Sequence, residues 1–267
     1  MTPYKTHKQA GFSLIDVSVL VVILGLLAAS LLSSNQVRKE MSGFSRSQIT
    51  LETADRAVRE FYQRNKRLPC PAPLTVRAGN AAFAVEPTGA VACGGSTAPT
   101  IAANGMQEIN RTGATVLHST IRIGGLPTRT LGIPDSNGSD AWNRRILYVV
   151  LEDLATTPQQ FSSFSAPAIG SEPLLIHRDR SSNNATSMTP GDGFAYVLIS
   201  QGPDGQGAYT KEGVEYKPCD TVVATRTWDS ENCNMDALFI DAPINQTAGT
   251  SYFYDLVRWV KYNELYD

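Results

Sequence analysis

Residues 8–37 read KQAGFSLIDVSVLVVILGLLAASLLSSNQV, and the order of features in this stretch decides how the rest of the chain is read. A short basic segment ends at Gly11, Phe12 to Asp16 follow, and no charged residue then occurs from 17 to 37. A helix of roughly 20 apolar residues spans a bilayer, so residues 12–37 are expected to form a transmembrane helix. Lys5 and Lys8 keep the preceding flank on the cytoplasmic side and send the remainder outward. A secretory signal would end a short apolar core at a small-residue cleavage site, whereas this run is long and continues into more helical pattern.

Beyond the run the periodicity persists. Val37, Met41, Phe44, Leu51, Ala54, Val58, Phe61 and Tyr62 recur at steps of three and four, with arginines, lysines and glutamates between them. No proline occurs between Pro3 and Pro69, so one nearly continuous helix from about Ser13 to about Lys66 is expected, with Gly43 as its weak point. Residues 38–66 form its amphipathic half. Leu68-Pro-Cys-Pro-Ala-Pro73 ends it, because proline removes a donor and restricts the residue before it.

The whole chain has 267 residues, 42% of them hydrophobic, which suits a packed core. Its formal charge is −2, and because the first eleven residues hold two lysines and no acid, the rest stands at −4. That balance argues against nucleic acid as a partner. The four cysteines, Cys70, Cys93, Cys219 and Cys233, contain no CxxC. In an exported chain an even number at such spacings favours two disulfides over a metal site or free thiols. Three connectivities are available; closing the two short local loops, 70–93 and 219–233, is the simplest.

The segment Lys8-Gln-Ala-Gly11 before Phe12-Ser-Leu-Ile-Asp16 and the apolar run resembles the signal of type IV prepilins and type II secretion pseudopilins. The resemblance implies cleavage by prepilin peptidase between Gly11 and Phe12, N-methylation of Phe12, and a helix that passes from the inner membrane into a filament. The family usually carries glutamate at the fifth mature position; here it is Asp16, still a carboxylate. An acid so near an apolar span is costly unless paired, and the family pairs it with the terminal amine of a neighbouring subunit. Many pilins have a kinking proline further along, where this chain has Ser33 and Ser34.

Residues 67–267 are expected to form a globular, disulfide-stapled head. Residues 74–112 are rich in Ala, Gly, Thr and Pro and read as a loop excursion. Short β-branched and aromatic runs at 116–123, 145–151, 174–177, 194–200 and 221–226 read as strands. Phe253, Leu256, Val257 and Val260 have helical spacing and suggest a short terminal helix. The fold class is therefore α+β: a long N-terminal helix packed on a small antiparallel sheet, pilin-like. Asp140-Ala-Trp-Asn-Arg-Arg-Ile-Leu-Tyr148 looks like the Asp-x-Trp-Gly segment of major pseudopilins, and Phe194 to Gly205 looks like the strand and glycine-rich loop that follow it. Trp142 reads as a packing residue before a ligand-binding one.

Major pseudopilins often bind calcium in the corresponding loop, which makes Asp204, Asp220 and the carbonyls around Gly202 candidate ligands. Against the six to eight oxygens that calcium takes, the local acids are few and scattered. Asp135-Ser-Asn-Gly-Ser-Asp140 has its glycine fourth, where the EF-hand loop needs it sixth, and reads as a turn. No GxSxG, Walker loop, HExxH or dinucleotide fingerprint is present, and His118 and His177 stand alone beside predicted strands. The expectation is a non-catalytic pseudopilin or minor pilin, single-pass with its N-terminus cytoplasmic and its head periplasmic. Its partners would be other pilin or pseudopilin subunits, prepilin peptidase and the inner-membrane assembly platform. A membrane-anchored periplasmic binding or adhesion module is the alternative, and an anchored enzyme the third reading.

Overall fold

The structure, a computed structural model, describes residues 14–88, 93, 107–110, 120–156, 175–177, 194–220, 227–234 and 238–265. The chain divides into two compact units, residues 1–42 and 43–267. Helix α1 (Leu14–Asn65) crosses that division, and each unit is described by itself. In the first unit, the large apolar side chains described between Leu14 and Leu26 are all exposed, from 49% at Val17 to 87% at Leu14. Among the described residues no helix is long and apolar enough to cross a membrane; the side chains of residues 27–37, which belong to the expected span, lie outside the description.

In the second unit the elements after α1 are β1 (Gln107–Asn110), β2 (Thr120–Gly125), α2 (Thr128–Leu131), β3 (Leu147–Leu151), α3 (Glu152–Thr156), β4 (Leu175–His177), β5 (Phe194–Ser200), α4 (Trp228–Glu231), β6 (Leu238–Ile240) and β7 (Leu256–Lys261). Five strands form an antiparallel sheet in the order β1-β2-β3-β5-β7, and β4 and β6 pair in parallel as a separate two-stranded sheet. The protein is thus α+β. Every residue of β3 and β5 is buried, which is why these strands read as unbroken apolar runs instead of alternating ones.

The part of α1 that belongs to this unit lies against the sheet. Leu51, Ala54, Ala57, Val58, Phe61 and Tyr62 are buried in one cluster with β2, β3 and β5, and their three- and four-residue spacing puts them on one face. Polar contacts fix the register of that face. Asp55, itself buried, accepts a hydrogen bond from the Tyr196 hydroxyl of β5 at 2.6 Å and one from Arg258 of β7 at 2.8 Å. The Tyr148 hydroxyl of β3 donates to the Pro69 carbonyl just beyond the helix at 3.2 Å. Lys66 takes a left-handed φ of 55° and its amide bonds the Tyr62 carbonyl, closing the helix before the prolines.

Gly43, where the second unit begins, lies inside α1, and a methyl group there would meet the indole of Trp142 at 2.8 Å. The residue is small because an aromatic ring crosses the helix at that point. Trp142 also packs edge-on against Phe44 with ring centroids 5.2 Å apart, so it acts in packing.

The C-terminal expectation is corrected. Residues 256–261 are strand, not helix: Val257 is opposite Ile199, Trp259 opposite Val197 and Val260 opposite Tyr196. The helical spacing of the apolar residues is real, but the free edge of β5 offers a row of backbone donors and acceptors that must be met, and the β-branched valines suit that edge. A second strand absent from the sequence reading is β1, which lies within the stretch 74–112 read as loop. The expected strand at 221–226 lies outside the described residues.

Both disulfides close the short loops: Cys70 with Cys93 and Cys219 with Cys233, each with Cα atoms 5.7 Å apart. The first is braced by Glu86, whose carboxylate takes two hydrogen bonds from Arg67, at 2.9 and 2.7 Å, and one from the Cys70 amide.

Candidate functional site

The processing and assembly positions come first. Gly11 and Phe12 lie outside the described residues, and so does the side chain of Asp16, which stands in the first turns of α1.

The second site is where the two resemblance segments of the head meet. Asp140 is buried and organises its own turn: one oxygen accepts from the amides of Trp142 and Arg144, both at 2.9 Å, and the other from the Ser200 hydroxyl at the end of β5. Burial pushes its carboxyl up, while the hydrogen bonds from Arg144, Ser200 and Trp142 pull the other way. Asn143, in the glycine position of the Asp-x-Trp-Gly pattern, has φ 63°, a left-handed conformation that asparagine tolerates better than most residues. The turn aims Arg144 at the loop after β5. Its guanidinium donates to the Gly202 carbonyl and, at 2.9 Å, to the Pro203 carbonyl, and lies 4.2 Å from the ring centre of Tyr216.

That loop needs its glycines. Gly202 and Gly205 have φ of 57° and 61°, and a Cβ would collide with the Tyr254 carbonyl oxygen in the first case and with the Arg144 guanidinium in the second. Gly202-Pro-Asp-Gly205 is therefore a tight turn clamped between Arg144 and the strand lead-in at Tyr254.

The clamp holds Asp204 beside two further acids that the sequence reading did not single out. Asp229 lies on α4, whose capping box joins Thr227 and Ser230; its Oδ1 accepts from the Tyr254 amide at 2.8 Å. Asp255 directly precedes β7 and accepts from Asn232 at 2.9 Å. Asn232 in turn pins the chain at Ile240 through both its amide and its carbonyl. Asp229 and Asp255 are 1% and 2% exposed. Burial, then the charge of Asp204, raises the Asp229 carboxyl to about 7. Burial, then the charge of Asp229, raises that of Asp255. Asp204 has an ion-pair partner in Lys217 at 3.5 Å.

Of the two acids expected as candidate calcium ligands, Asp204 acts on the carboxyls of Asp229 and Asp255. Among the described residues no group of three or more His, Cys, Asp or Glu is arranged to hold a metal ion. The segment 135–140 is a 3-10 turn, Asp135–Gly138, in which Asp135 pairs with Arg129 at 3.0 Å and accepts from Thr128. His177 falls on β4, and His118 lies outside the described residues. Asp229 and Asp255 could not have been found from spacing: they are 25 and 51 residues from Asp204, and only the fold joins them.

Compared with protein-family models, curated proteins and solved structures, the chain matches none.

Proposed function

We propose that the chain is a non-catalytic pilin-like subunit, a pseudopilin or minor pilin. It is cut by prepilin peptidase between Gly11 and Phe12, methylated on Phe12, and assembled through its N-terminal helix into a type II secretion pseudopilus or a type IV pilus. The observation that carries this reading is the surface of α1 from Leu14 to Leu26, where the described large apolar side chains, from Val17 at 49% to Leu14 at 87%, are all open. A helix apolar on every side needs a non-aqueous or protein environment all round it. Lipid first and neighbouring helices later supply that environment. A plain lipid anchor would gain nothing from a carboxylate at Asp16, whereas a subunit that must pair with a neighbour's terminal amine does. The α+β head with two disulfides suits a periplasmic location, where such bonds form and persist.

Mass spectrometry of the protein from its native membrane tests the reading. The expected mature N-terminus is N-methylated Phe12, and Gly11→Ala abolishes its formation. A mature chain that begins elsewhere, or an intact Met1, overturns it.

A further inference from the structure

Four aromatic rings form a run of contacts where the chain enters its second unit, which begins at Gly43. Trp142 meets Phe44 edge-on with ring centres 5.2 Å apart, Phe44 stacks on Tyr254 at 5.9 Å, and Tyr254 meets Tyr252 edge-on at 5.2 Å. The rings come from three segments: α1, the Asp140 turn and the residues before β7. None of the four is buried; each is only partly covered. Single apolar residues at a surface are ordinary, whereas a contiguous patch marks a place where something else sits.

We propose that Phe44, Trp142, Tyr252 and Tyr254 form a seat by which the head rests on the periplasmic membrane–water interface, with lipid as the partner. The proposal rests on residues 12–37 being a membrane span. Tryptophan and tyrosine join an apolar body to a polar tip, which suits a boundary that is apolar on one side and wet on the other.

Chain length keeps the rings within reach of the bilayer. Phe44 follows Val37, the last residue of the expected span, by seven residues, which is about 10 Å of helix and at most about 25 Å in any conformation. The interfacial layer outside the hydrocarbon is about 5–7 Å thick on each side. A helical side chain leans towards the N-terminus of its helix, so the Phe44 ring reaches back towards that layer.

Charge favours lipid over a second copy of the chain. Residues 38–46 carry Arg38, Lys39 and Arg46 against Glu40 alone, a net +2. Anionic headgroups attract such a stretch, and the same stretch in a second copy repels it. The backbone that presents the rings is fixed. Asp140 accepts from the amides of Trp142 and Arg144, both at 2.9 Å, and Asp229 accepts from the Tyr254 amide at 2.8 Å. The rings therefore meet a surface together, without rearrangement.

The test uses the full chain in vesicles of phosphatidylethanolamine and phosphatidylglycerol that carry bromine on the upper acyl carbons, because bromine quenches tryptophan only near contact. The unaltered protein is compared with Trp142→Phe, which keeps an aromatic ring beside Phe44. Trp142 is one tryptophan of three; its share of the emission is expected to be quenched in the unaltered chain, and Trp142→Phe is expected to lose that quenching. Equal quenching in both proteins, or none in either, while both float with the vesicles overturns the seat and leaves the span standing. Failure of the unaltered chain to float with the vesicles overturns the span and the seat with it. An unquenched emission that moves to shorter wavelength as the protein-to-lipid ratio rises means that a second copy covers the rings, which also overturns the seat. If Trp142→Phe does not fold, hydroxyl-radical oxidation of the unaltered chain in vesicles decides: Trp142 and Tyr252 are spared while Tyr216, 57% exposed, is oxidised, and equal oxidation of the three refutes the proposal.

Discussion

The contact between Asp55 of α1 and Tyr196 of β5 gives a quantitative handle on how the helix is held to the sheet. The hydroxyl donates at 2.6 Å to a carboxylate that is 4% exposed, and the tyrosine is fully buried. Tyr196→Phe removes one hydrogen bond to a charged group, worth about 1.5–3 kcal/mol. Asp55 keeps Arg258 at 2.8 Å and Arg59 at 3.5 Å, so the lower end, about 1.5–2 kcal/mol, is expected. Asp55→Ala also breaks both ion pairs, but Arg258 and Arg59 are 41% and 32% exposed and solvent screening holds their share under about 1 kcal/mol. Its larger cost is the buried Tyr196 hydroxyl left without an acceptor, about 1–3 kcal/mol, which brings the total to about 1–4 kcal/mol. In the double variant that orphan no longer exists. Urea unfolding of the four proteins, followed by tryptophan fluorescence, is therefore expected to give a coupling of about 1.5–2 kcal/mol. Additivity within about 0.5 kcal/mol would refute the reasoning and show that α1 is positioned by apolar packing alone.

Gly43→Ala, which in an ordinary helix interior stabilises by about 1 kcal/mol, is expected to lower Tm here, because the new methyl meets the Trp142 ring at 2.8 Å; an unchanged or higher Tm would show that the indole yields freely. Replacing Cys70 and Cys93 together by alanine opens a loop with a sequence separation of 23 and is expected to cost about 3 kcal/mol in chemical denaturation, whereas no loss would mean that Glu86 alone holds the turn. Asp16→Ala is expected to leave the protein processed and membrane-bound yet absent from filaments, since it removes charge pairing and spares the apolar run; normal incorporation, scored by shearing and immunoblotting, would exclude the pairing role.

Much of the architecture was legible because it rests on short-range rules. Helical periodicity from Leu51 to Tyr62 places those residues on one face whatever they pack against, and the prolines from Pro69 onward set the helix end within a residue or two. The β3 and β5 runs were legible for a related reason: burial on both faces demands continuous apolar sequence. The two disulfides followed from loop length, since the nearest cysteines in the chain are also the easiest to bring together. Where the reading failed, the information was not local. Residues 256–261 carry a helical spacing that loses to the free edge of β5, and β1 shows too little apolar pattern to stand out from the loop around it.

The sequence by itself determined the order of features at the N-terminus, the amphipathic helix and the α+β class, because side-chain spacing and proline chemistry act over a few residues. Tertiary structure alone decided that Gly43 makes room for Trp142, that Arg144 clamps the Gly202–Gly205 turn, and that the half-buried Asp204 stands beside the buried Asp229 and Asp255. Those facts depend on chain crossings between segments up to about a hundred residues apart, and the electrostatic penalty that makes the three acids interact exists only once folding has removed the water between them.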